Sequence, residues 1–143
     1  MKHLQNTKLV GITPPAAIVD NAAFTTNSID TKGFRYALVV VYFGAMDIAM
    51  AALKLRESDD DSTYSDVTGG DFSSAGTLPS ATADNTFVAW FVDLKGKKRY
   101  LDVNATGGDG TVGTFMTAFA LLSNAEEFPN TATERGLGQQ LFV

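Results

Sequence analysis

Apolar residues in this chain recur in short runs, alternating or filling both faces. Clusters of Gly, Asp, Ser and Asn interrupt them at intervals of roughly ten residues. The strongest run follows Gly33. Phe34, Tyr36, Leu38, Val40 and Tyr42 fall on one face and Arg35, Ala37, Val39, Val41 and Phe43 on the other, which predicts a central strand covered on both sides. In Ile48 to Glu57 the alanines have helix propensity, but Leu53 and Leu55 alternate with Lys54 and Arg56, so the segment reads as a strand. Ser58-Asp59-Asp60-Asp61-Ser62 reads as a turn, Tyr64 to Val67 as a short strand and Gly69 to Pro79 as a loop. Asn85 to Leu94 and Lys98 to Asn104 read as a hairpin about Lys95-Gly96-Lys97, and Thr114 to Ser123 as a last long strand. Upstream, Pro14-Pro15 stops any regular element, Ala16 to Phe24 suits a first strand and Thr25 to Lys32 a loop. Beyond Phe128 the periodicity fails until Leu141-Phe142-Val143.

Strands and turns in this rhythm predict an all-β fold, an antiparallel β-sandwich of jelly-roll type. The long loop before Asn85 argues against an up-and-down barrel. A chain of 143 residues is expected to be a single domain spanning 1–143. It buries roughly two-thirds of its extended surface. Residues 1–15 and 130–143 are expected as N- and C-terminal arms around it.

Composition narrows the chemistry. His3 is the one histidine and cysteine is absent, so there is no thiol nucleophile and no Cys/His zinc site. Serine and threonine hydroxyls have no histidine partner. The net charge of −5 argues against nucleic-acid binding, and the cluster Lys95, Lys97, Lys98 and Arg99 reads as a solvated turn. The apolar stretch Tyr36 to Met46 is too short for a helical membrane span, and the first ten residues carry no signal-peptide run. A soluble, unexported protein is expected. Asp59, Asp60, Asp61, Asp66 and Asp71 lack the spacing of an EF-hand loop. Asp93 and Asp102 have Lys95 and Arg99 nearby for ion pairing, and the adjacent Glu126 and Glu127 would face opposite sides of a strand. Gly107 to Gly113 has neither the lysine nor the helix of a phosphate loop. Trp90 is expected in the core or a subunit interface rather than as a sugar platform. No enzyme activity, cofactor or metal is expected.

Three blocks carry a resemblance: Asp30-Thr31-Lys32-Gly33-Phe34, then Leu55-Arg56-Glu57-Ser58-Asp59-Asp60 with Tyr64-Ser65-Asp66-Val67, then Phe91-Val92-Asp93-Leu94-Lys95-Gly96 with Lys97-Lys98-Arg99-Tyr100-Leu101. Over about Ile29 to Leu122 the chain resembles the head decoration, or capsid cement, proteins of tailed bacteriophages. The resemblance implies a jelly-roll-like subunit, a homo-oligomer of three chains, that clamps the major capsid protein on the outside of the virion and is made in the host cytoplasm. It implies no catalytic motif. From the residues themselves, Pro14, Pro15, Arg135, Leu141, Phe142 and Val143 are the expected partner contacts, with Leu141 and Phe142 as apolar anchors on a terminal arm. The competing readings are a carbohydrate-binding or adhesion module, which needs exposed aromatics, and a carboxylate-dependent hydrolase.

Overall fold

The computed structural model describes residues 2–13, 17–19 and 21–142, with residues 17–19 described by their backbone. Among the described residues two short helices, α1 (Lys2–Gln5) and α2 (Phe72–Ala75), accompany ten strands. One sheet contains β1 (Thr7–Gly11), β10 (Thr114–Ala125), β5 (Phe34–Met46) and β8 (Thr86–Asp93) in that spatial order, with β2 (Ala17–Val19) also on β10. The other runs β3 (Ala23–Thr25), β9 (Tyr100–Thr106), β6 (Ala52–Ser58) and β7 (Ser65–Asp71), with β4 (Ile29–Asp30) also on β9. All pairings are antiparallel and they nest: β1 with β10, β3 with β9, β5 with β8, β6 with β7. A long hairpin folded over on itself gives this order, which is the jelly roll.

The alternation of the sequence becomes the core. Val39, Val41 and Phe43 of β5 and Met116, Ala118, Ala120 and Leu122 of β10 face Leu53, Leu55, Leu101 and Val103 of the opposite sheet, all buried. Side chains from two inner faces meet in this way in any aligned sandwich. Asp102 on β9 is an exception to solvent exposure of charge, being 2% exposed. It takes two hydrogen bonds from Arg56, Nε to Oδ1 at 2.9 Å and Nη2 to Oδ2 at 2.7 Å. The fork of the guanidinium matches the carboxylate and pins β6 to β9 on the sheet's outer side.

Several expectations are corrected. Asn85–Leu94 and Lys98–Asn104 are not a hairpin: β8 pairs with β5 and β9 with β6, so the Lys95–Arg99 turn crosses from one sheet to the other. The turn chemistry is local and correctly placed, with Gly96 at φ +77. Its strands find other partners: β8 lies along the longer apolar β5, and β9 pairs residue for residue with β6, a strand of its own length in the other sheet. The stretch 16–24 is divided between the two sheets as β2 and β3. Gly69 and Gly70 lie in β7 rather than a loop, and the 25–32 loop contains β4. Residues 7–11, expected within an arm, form β1 and pair with β10 over Thr7↔Ser123 to Gly11↔Phe119. Leu9 is the reason the segment reads poorly as a strand: one apolar side chain on a partly exposed face leaves little alternation to detect.

Candidate interaction surface

The even-numbered face of β5 points away from the core. In register with it stand the odd-numbered residues of β8 and β10: Leu38 lies opposite Phe91 and Leu121, Val40 opposite Ala89 and Phe119, Tyr42 opposite Phe87 and Thr117. Leu9 extends the row across β1 through Leu121. The result is an apolar outer face four strands wide whose charged member among these positions is Asp93, at one end opposite Tyr36. Helix α2 packs on β6 and β7 of the other sheet and leaves this face open. Exposure rises toward β8, where Phe87 is 66% and Phe91 87% exposed. Tyr42 and Phe87 pack ring to ring with centroids 4.6 Å apart, which holds the Phe87 ring in place. A contiguous apolar patch of this kind marks an interaction surface. The expectation that β5 is covered on both sides therefore holds for the core side and only in part on the outer side, where Val40 is buried, Leu38 and Tyr42 are half-buried and Tyr36 is exposed.

β8 is also the free edge of its sheet. The Leu94 N–H donates to the Arg35 carbonyl at 3.0 Å, which sets the phase of the ladder. Alternate residues of an antiparallel strand bond to one side. The even-numbered residues of β8 thus bond to β5, and the N–H and C=O groups of Phe87, Ala89, Phe91 and Asp93 point outward. Below this edge a cleft of about 550 Å³ separates β8 from β7, lined by Leu55, Gly70, Phe72, Trp90 and Phe91 among others. Trp90 forms its inner wall. Its indole is 9% exposed, donates from Nε1 to the Gly70 carbonyl at 2.9 Å and meets Phe72 edge-on at 5.1 Å. A flat sugar platform needs an exposed ring face, so Trp90 cannot serve as one.

The C-terminal segment is built around Arg135, which is buried. Its Nε donates to the Gln5 carbonyl at 3.0 Å. Its Nη1 donates to the Asn130 carbonyl at 3.0 Å and to Gln140 Oε1 at 2.7 Å, and Nη2 donates to the Pro129 carbonyl. The Arg135 carbonyl accepts from the Leu9 N–H at 2.8 Å, so the segment caps the outer edge of β1. Thr131 and Glu134 form a capping box. The Glu134 carboxylate accepts the Asn130 and Thr131 N–H groups at 2.7 and 2.9 Å, and Thr131 Oγ1 accepts the Glu134 N–H at 3.2 Å. Those N–H bonds hold the Glu134 carboxyl below its ordinary range. Gly136, at φ +71, runs so close to the Leu9 carbonyl that a Cβ there would collide with it.

The expected contact residues therefore separate. Arg135 is an internal staple with no outward guanidinium, which corrects its expected place at a partner surface. Leu141 is 91% exposed, and Phe142, also exposed, lies 5.8 Å from the Arg135 guanidinium. Pro14, Pro15 and Val143 lie outside the described residues. The face of β5, β8 and β10 was missed because alternation shows which residues share a face, whereas the absence of a covering layer is a tertiary fact.

The charged clusters are spent locally. Asp60 accepts from Ser58 Oγ and from the Ser62 and Thr63 N–H groups, which drive its carboxyl far below the usual range. Asp61 accepts the Tyr64 hydroxyl at 2.6 Å, and Asp59 lies 3.6 Å from Lys98. Arg99 clasps Asp30 through two bonds of 2.9 and 2.7 Å, not Asp93 or Asp102 as expected. Asp93 and Asp102 stand on different sheets and do not converge. The Gly107–Gly113 loop is tied down by Asp47, whose carboxylate accepts the Val112 N–H at 2.7 Å. No helix among the described residues is long and apolar enough to cross a membrane.

No family model matches the chain, and no curated protein does. Among solved structures 16 chains match. One is the SPBc2 prophage-derived protein YomS, 11% identical, with a TM-score of 0.48 over 82% of this chain and 95% of that one. At that identity the likeness is one of chain trace and says nothing of function.

Proposed function

We propose that this chain is a structural virion protein, a decoration or cement subunit that binds the outside of a phage head across neighbouring major capsid subunits. The observation that carries the reading is the open apolar face of β1, β10, β5 and β8, a surface that an acidic chain of this size leaves uncovered. The sequence resemblance over Ile29 to Leu122 supplies the kind of partner. Binding would act by mass action: a ligand that takes the assembled shell and not its free subunits raises the cost of separating them. Leu38, Phe119 and Leu121 would supply the centre of the contact, with Leu141 and Phe142 at its margin. The glycan-binding alternative loses the Trp90 platform, and the hydrolase reading loses its paired carboxylates at Asp93 and Asp102.

Co-sedimentation of the purified chain with stripped, expanded heads tests the proposal. Saturation at a fixed multiple of the shell symmetry, reduced by Leu38→Ser or Leu121→Ser, is expected. Failure to sediment with heads at micromolar concentration would remove the capsid role.

A further inference from the structure

We infer that the free edge of β8 is the site of self-association, and that its occupant is β8 of a second copy, antiparallel across a twofold axis at Ala89. The first reason is that the edge carries none of the devices that protect exposed strands. From Thr86 to Val92 it has no lysine, arginine or proline, the pairing with β5 runs without a bulge, and its outward side chains include Phe87 and Phe91. Other edges of the molecule are blunted. β7 carries Gly69 at φ +76 beside Gly70 and a register shift against β6. β3 and β4 are three and two residues long. β1 is closed by the bond from Leu9 to Arg135. A head-to-tail ring through strand edges, one route to the threefold order that the resemblance implies, requires a second long open edge to receive β8. The described residues offer β8 no such counterpart except itself, and an edge that meets its own copy makes a closed twofold contact.

The register follows from the phase of the ladder. Phe87, Ala89 and Phe91 aim their main-chain groups outward, so these residues must form the hydrogen-bonded pairs. Centring on Ala89 sets Phe87 against the partner's Phe91, and Phe91 against the partner's Phe87, on the already apolar face. It also sets Asp93 against the partner's Asn85 rather than against another carboxylate or a phenylalanine. On the inner side Val88 of the partner subunit faces Trp90 over the cleft between β8 and β7, which has an apolar wall of Leu55, Phe72 and Trp90 to receive it. Four phenylalanine rings at roughly 150 Å² each supply at most about half of the ~1,200 Å² at which standard interfaces begin, which places this contact in the weak, reversible class. Dimerisation is thus expected at protein concentrations of about 100 µM. The two outer faces would join into one continuous apolar sheet surface.

This inference concerns the free protein and is tested without capsids, so its failure and that of the capsid reading are separable. Because the chain contains no cysteine, a single introduced thiol reports the axis directly. Ala89→Cys is expected to cross-link into a disulfide dimer under mild oxidation, since paired residues across such a contact lie about 5.5 Å apart at Cα. Thr133→Cys, distant from the edge, is expected to remain monomeric. Sedimentation equilibrium of the unaltered chain should show twice the 15.2 kDa monomer mass. Phe91→Lys and Phe87→Lys, both exposed sites, should weaken the dimer at least tenfold with circular dichroism unchanged. A mass of one or three chains at 100 µM overturns the inference, as does Ala89→Cys cross-linking no faster than Thr133→Cys.

Discussion

Arg56 and Asp102 show how a single pair can carry a share of the stability. Asp102 is buried, and both of its carboxylate oxygens are held by the Arg56 guanidinium. Arg56→Met would leave a buried, unpaired carboxylate, a change that costs about 3 kcal/mol. Urea unfolding should show that loss, and the double variant Arg56→Met/Asp102→Leu should recover most of it, because an apolar pair requires no desolvation of charge. Asp30 gives a pH signature. Its hydrogen bond from Arg99 outweighs its partial burial and holds its carboxyl below 3.8. A lowered carboxyl stabilises the fold above its unfolded pKa, and the contribution disappears as pH falls through the folded value. The difference in melting temperature between the unaltered chain and Asp30→Asn should therefore be full at pH 6 and shrink steadily as pH falls below the ordinary carboxylate value of about 3.8. A difference that stays constant across the acid range would assign the effect to packing instead. Residues of this kind were legible only in part. The sequence pointed to ion pairing for Asp93 and Asp102 with Lys95 and Arg99, but the partners proved to be Arg56 for Asp102 and Asp30 for Arg99, both distant along the chain.

At the scale of elements, the C-terminal segment behaves as two pieces. Residues 129–140 are fastened to β1 by Arg135 and its capping box, while Leu141 and Phe142 extend past the last fastening at Gln140. A truncation from residue 130 would uncover the edge of β1 and leave the Gln5 carbonyl and the Leu9 N–H to solvent. It is expected to lower the melting temperature by several degrees, consistent with a loss of about 2 kcal/mol. Removing 141–143 alone should leave the melting temperature unchanged within a degree and reduce binding to heads. Equal loss of stability in both truncations would mean that the apolar end, not Arg135, holds the segment. The sequence shows the segment as aperiodic, because a capping box and a buried guanidinium produce no hydrophobic rhythm. The Thr131–Glu134 spacing was nevertheless available as a signal.

The whole molecule closes by pairing its first strand with its last, and this contact depends on residues more than a hundred positions apart. Deleting residues 1–11 would strip β1 from β10 and expose the flank of Phe119 and Leu121. The expected result is a lower melting temperature together with concentration-dependent light scattering, as an unprotected apolar edge recruits copies. A monodisperse truncation would show that the segment 129–140 protects β10 unaided. Such long-range pairing also makes the fold slow to form, in the range of milliseconds to seconds, since loop closure precedes the contacts that offset it.

The chain by itself determined what is local: that it is built of strands, where most turns fall, which side chains share a face, and that it holds no thiol and no Cys/His ligand set. Alternation and turn residues act over a few positions, so they can be read in order along the chain. Tertiary structure alone decided that β8 pairs with β5 rather than β9, that Arg135 is a staple, and that one apolar sheet face and one strand edge remain open. Those outcomes depend on which long apolar strands compete for which partners and on where the chain has no layer left to cover a face. Neither quantity is written at any single position.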